Sequence, residues 1–179
     1  MMRAAPILGC AALTITAGVL FGPLAAFYHA AASIAFFGTY RRGELVWLGA
    51  AIIANFWVSN TIWSYASFET RLGPYSMLEI LVIGAAYHAF SVHRKIMLLC
   101  VVTSSAMSIT ANMVSASIPL LSIADVRSHE AITNACFFSE CIFAAASGAG
   151  DEWFNRIRRL LVRGDTRRSA FYGKTRGEE

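Results

Sequence analysis

From Ala4 to Tyr40 the chain runs for 37 residues without a charged side chain. No water-soluble fold has a use for such a run, whereas a hydrocarbon core about 30 Å thick takes roughly 20 apolar helical residues at about 1.5 Å each. The run has companions. Leu45 to Phe68 and Ile96 to Ala124 are free of charge over 24 and 29 residues. Leu72 to His93 and Ala131 to Gly150 each carry one carboxylate, Glu79 and Glu140. Of the whole chain 56% is hydrophobic and 15% charged, and half of the charged residues (8 basic, 5 acidic) fall in Asp151 to Glu179. This balance excludes a disordered chain, a disulfide-framed secreted module and an ordinary cytosolic enzyme. It leaves an all-α polytopic transmembrane bundle over residues 1–150. A basic amphipathic juxtamembrane helix over 151–164 and a mobile polar tail over 165–179 follow it.

Polar turns such as Tyr40-Arg41-Arg42-Gly43-Glu44 and Glu69-Thr70-Arg71-Leu72-Gly73-Pro74 separate the runs, since Gly and Pro stop helices. They predict spans near 12–38, 45–67, 76–92, 96–118 and 130–149. The first run is too long for one straight span, at about 55 Å of helix. Gly22-Pro23 is the interruption, as a kink in one tilted helix over 12–38 or as the turn of a tight hairpin. The kinked helix is the favoured reading and makes five spans; the hairpin makes six. A cleaved signal peptide ending near Ala25-Ala26 leaves only about 14 apolar residues before Arg41, too few to span.

Lys and Arg gather on cytoplasmic sides of membranes. With five spans, 12 of them fall on one side and Arg3, Arg71 and Arg127 on the other, so the C-terminus is expected in the cytoplasm and the N-terminus outside a cell (inner) membrane. A hairpin changes the division to 13 against 2 and brings the N-terminus inside. The orientation from Arg41 onward is the same in both.

After the last span, Trp153, Phe154, Ile157, Leu160 and Leu161 recur at helical spacing, with Arg156, Arg158, Arg159 and Arg163 between them. An amphipathic helix of this kind lays its apolar face at the acyl boundary and its guanidinium groups among anionic lipid headgroups. The lipid bilayer is thus the expected partner, with a second copy or another membrane subunit as a further one. No nucleic-acid motif accompanies the charges. Cys10, Cys100, Cys136 and Cys141 all fall within spans and suit apolar packing rather than disulfides or zinc. No phosphate-binding, dinucleotide, zinc-protease or nucleophile-elbow motif is present, so neither an enzyme nor a cofactor is expected.

Polar side chains inside a membrane are costly and therefore informative. Glu140, at the middle of the fifth span, must be protonated or paired, and it is either a proton or cation site or a hydrogen-bonded helix contact. Ser76-Met77-Leu78-Glu79 has the form of a capping box at the outer start of the third span, which makes Glu79 a cap. His29 and His88 fall within spans at different depths, poor geometry for a shared metal or haem. His93 and His129 are expected to face water. Asn60, Asn112 and Asn134 come from three spans at one depth, with His29, Asn55, Ser108 and Glu140 below them. Ser104, Ser108, Asn112 and Ser115 line one face of the fourth span, as a helix-packing face or the wall of a hydrated path.

Three functions fit. A non-catalytic structural or assembly subunit comes first. The second is a transporter or channel with Glu140 as its protonatable group and Asn55, Asn60, Asn112 and Asn134 as its lining. In outline alone the chain also resembles phage holins, which are short, polytopic and basic-tailed. That likeness implies a lytic pore assembled through the Ser104, Ser108, Asn112 and Ser115 face.

Overall fold

A computed structural model of the chain describes residues 5–40, 43–118 and 122–149. The elements are six helices: α1 (Ala5–Phe21), α2 (Pro23–Thr39), α3 (Leu45–Tyr65), α4 (Phe68–His93), α5 (Ile96–Ala116) and α6 (Ile123–Ala149). The last four are long and apolar enough to cross a membrane, and α1 is a shorter apolar helix. The basic helix expected over 151–164 and the tail over 165–179 lie outside the described residues, and so do the expected lipid contacts Trp153, Arg156, Arg158, Arg159 and Arg163.

The continuous helix over 12–38 is not formed. Gly22 has φ 97° and ψ 168°, a conformation open essentially to glycine alone, and Pro23 follows as the first residue of α2. The chain turns back there, and a Cβ placed on Gly18 would sit 3.1 Å from the Ala26 Cβ. Thr14 and His29, one on each arm, meet at 2.8 Å between Oγ1 and Nδ1. The first run is therefore the hairpin. A kinked helix would keep Thr14 and His29 about four turns apart.

α4 also begins earlier than its sequence suggests. Ser67, with extended backbone at φ −66° and ψ 161°, precedes the first helical residue, and the helix runs on through Pro74. Pro74 lies in the second turn, where the missing N–H costs a single hydrogen bond, and membrane helices tolerate such breaks. Glu69 to Pro74 is consequently helix rather than turn, and Glu79 is no cap: Ser76 donates to the Leu72 carbonyl at 3.0 Å, in mid-helix. A reciprocal box does exist at the start of α6. There the Ser122 N–H and hydroxyl donate to Asp125 Oδ2 at 2.9 and 2.7 Å, and the Asp125 N–H donates to Ser122 Oγ at 3.2 Å.

Short connections make consecutive helices antiparallel neighbours. α6 closes the set by packing on α2, where Tyr28 stacks on Phe138 with centroids 4.8 Å apart, and on α5 through side-chain hydrogen bonds. α1 lies outside this ring, with Ala17 as the buried side chain among those described. The outward faces carry Trp47, Tyr65, Leu81 and Tyr87, fitting for contact with lipid.

The interior differs between its two ends. Towards the α2–α3 and α4–α5 connections it is a closed apolar core of Leu45, Leu48, Ile52, Val82, Ala86, Leu98, Val101 and Ala144. Small residues bring backbones together there: a Cβ on Gly148 would collide with the Gly38 carbonyl, and one on Gly49 with Thr39. Two polar ties cross the same end, Lys95 Nζ to the Ser147 carbonyl at 2.7 Å and His93 Nε2 to Glu44 Oε2 at 3.3 Å. The other end, at the α1–α2 turn and the α3–α4 connection, is polar and hollow.

Candidate functional site

Each helix of the ring contributes to the hollow end. A cavity of about 490 Å³ opens between exposed Leu24, Trp63 and Ser64 and reaches down to Asn55, Glu79 and Ser108. That volume is in the usual range for small-molecule sites. Its wall includes Asn60, Asn112 and Asn134 as well as His129 and Glu130.

At the floor a carboxyl from α4 meets a carboxyl from α6. Glu79 Oε1 accepts from Asn55 Nδ2 at 3.3 Å and from Ser108 Oγ at 3.2 Å, while Glu140 Oε1 accepts from Ser105 Oγ at 2.7 Å. The two carboxyls are in hydrogen-bonding contact with each other, and Ser105 lies against both. Their second oxygens are buried and take no other donor from the protein. Two carboxylates are acceptors only, so a hydrogen bond between them requires a proton. The arrangement is a dyad holding at least one proton, since two carboxyl groups side by side cannot both ionise.

The groups facing the dyad are neutral. From α3 comes Asn55, with Ser59 donating to its Oδ1 at 2.9 Å; from α5 come Ser105 and Ser108; from α6 come the Cys136 and Cys141 thiols. Among the described residues no Lys or Arg pairs with either carboxyl. One turn further along each helix the polar groups give way to Ile52, Val82, Val101 and Ala144, all fully buried. The dyad thus lies at the boundary between a hollow end and a sealed one.

Asn55, Asn60, Asn112 and Asn134 all line this cavity, as does Ser108. Asn112 donates to Ser76 Oγ at 3.2 Å, and Asn60 to the Phe56 carbonyl at 2.8 Å. Ser104, Ser108, Asn112 and Ser115 are all buried, facing the bundle interior. His29 is fully buried but belongs to the hairpin, bonded to Thr14 and, at 3.3 Å, to Ser33, with its ring edge-on to Phe56 and Trp57. His88 is exposed on the outer face of α4, away from the cavity.

His129 reverses its expected position. It is 5% exposed, bonded through Nδ1 to Ser115 Oγ at 2.9 Å and packed on Phe68, because α6 begins about two turns before the apolar run from Ala131 does. Glu79 is the residue that sequence reasoning misplaced. Its signal was there, an acidic residue within an apolar segment, but the Ser76 to Glu79 spacing imitated a cap.

No protein-family model matches the chain, and no curated protein or solved structure matches it either.

Proposed function

We propose that the protein is a proton-coupled membrane carrier, with the Glu79–Glu140 dyad as its proton site and the cavity as its solute site. The single observation that carries this reading is the position of the dyad: Glu79 lines the floor of a cavity open at one end and sealed at the other, and Glu140 lies buried behind it. A channel needs a path through; a carrier needs a central site exposed to one side at a time. The sealed end has the features of a gate. Beside its apolar core, close backbone contacts at Gly38–Gly148, one Lys–carbonyl hydrogen bond and one Glu–His pair hold it, and these are the ties that opening to the other side would break. The Lys and Arg distribution supports an orientation with the cavity mouth external and the sealed end cytoplasmic.

A structural or assembly subunit draws on the same cross-helix hydrogen bonds, of which Asn112–Ser76 and Ser115–His129 are the clearest. It needs neither a cavity nor a shared proton. A lytic oligomer is less well supported, since the Ser104, Ser108, Asn112 and Ser115 face is already turned inward.

The test is proton movement in vesicles containing purified protein, with solutes of different charge added outside an imposed pH difference. The carrier reading expects at least one solute to drive proton flux, and expects Glu140→Gln to abolish that flux while the protein stays folded. Equal flux in the wild type and in Glu140→Gln overturns it.

A further inference from the structure

We propose that the cavity binds a protonated primary or secondary amine carrying an apolar body, held by Glu79 Oε2 and Asn112 Oδ1. The inference deepens the carrier reading and rests on it for the purpose of the site. Its evidence is the hydrogen-bond balance of the cavity wall.

Apart from that of Tyr28, the hydroxyl donors of that wall are already spent on the protein. Ser59 donates to Asn55, Ser64 to the Asn60 carbonyl, Tyr75 to the Ser59 carbonyl at 3.2 Å, Ser108 to Glu79, and Thr133 to the His129 carbonyl. The acceptors are not. Asn112, 1% exposed, has an Oδ1 without a partner, and Glu79, 7% exposed, has an Oε2 to which no protein group other than the Glu140 carboxyl can offer a proton. Both side chains line the cavity. A buried acceptor left unpaired is costly, so the complementary ligand brings N–H donors. An ammonium group brings several together with a positive charge.

Charge and shape agree. The lining holds two carboxyl groups, Glu79 and Glu130, with His129 beside them and no Lys or Arg. Arg71 stands at the rim, its guanidinium 3.9 Å from the centre of the Trp63 ring and its Nε bonded to the Ala66 carbonyl. Arg71 and Glu130 act on Tyr75 with opposite signs, so the mouth holds charges of both signs. Tyr28, Phe56, Trp63, Phe68, Tyr75 and Phe137 supply the walls, surfaces that hold an apolar body and attract a cation to their faces. The exchange balances: in its singly protonated form the dyad carries one negative charge, and an ammonium ion that takes the proton's place releases that proton to water.

The experiment measures binding, not transport. Full-length protein in nanodiscs is titrated calorimetrically with phenethylammonium and with its N,N,N-trimethyl analogue, in buffers of different ionisation enthalpy. The expected result is saturable binding of the primary amine, with the trimethyl analogue at least roughly tenfold weaker because it has no N–H to offer. Asn112→Leu should remove most of that preference. Asn112→Asp, which keeps an acceptor oxygen, should retain it and so serves as the control for folding. Equal binding of the two cations, or binding of neither, overturns the inference. Amine binding without proton release upholds the site and overturns proton coupling instead. Failure of both amines, alongside solute-driven proton flux that Glu140→Gln abolishes, leaves the carrier and removes this substrate class.

Discussion

Glu79 on α4 and Glu140 on α6, 61 positions apart in sequence, meet carboxyl to carboxyl inside the bundle, within hydrogen bonds from Asn55, Ser105 and Ser108. Few contacts in a membrane protein are as demanding, because the pair exists only while a proton is shared or a cation replaces it. The dyad therefore governs both stability and the proposed activity.

Glu140→Gln keeps the shape of the side chain and supplies an N–H where the dyad has its proton, so the bundle should fold. Its thermal midpoint in detergent should stay close to that of the wild type, while proton release on amine binding should fall to zero. Glu140→Leu, which leaves Glu79 facing an apolar side chain, should lower the midpoint. If Glu140→Gln and wild type release equal numbers of protons, the dyad is not the proton site.

The α1–α2 hairpin depends on Gly22. An alanine there is forced into a backbone region that non-glycine residues occupy at a cost of about 1–3 kcal/mol. Thr14→Val deletes the hydrogen bond to His29 at about 0.6–1 kcal/mol. Both should appear as lower thermal midpoints, with Gly22→Ala the larger. A Gly22→Ala protein as stable as the wild type would contradict the turn.

At the sealed end, Gly148→Val drives a side chain into the Gly38 carbonyl, and overpacking of this kind costs about 1–3 kcal/mol or more. Wild-type residues at position 82 should be closed to water. After the native cysteines are replaced by serine, Asn60→Cys should react with a charged, membrane-impermeant thiol reagent and Val82→Cys should not. Labelling of both at similar rates would mean the cavity runs through.

Topology can be read from loops. A reporter at Ser67 should be external and one at Gly43 cytoplasmic, on the same Lys and Arg asymmetry that the hairpin raises to 13 against 2. A cytoplasmic signal at Ser67 would invert the cavity and make the dyad open to the cell interior.

The sequence by itself determined the class of fold and most of its polar inventory. Long charge-free runs have one physical outcome, helices in a bilayer, because backbone groups in hydrocarbon must bond within their own segment. Depth was legible for the same reason: a fixed rise per residue set Asn60, Asn112 and Asn134 at one level and Glu140 below them. Local spacing could not rank Ser76–Glu79 against Ser122–Asp125 as a cap, nor Gly22–Pro23 as kink against turn, since each pattern is stable in either setting. Only tertiary packing decided those, by placing Ala26 against Gly18 and by starting α4 at Phe68, about two turns before Pro74. The dyad is tertiary in the strictest sense. Rotation of α4 and α6 about their axes decides whether two carboxyls face lipid, water or each other, and that rotation is set by every neighbour at once.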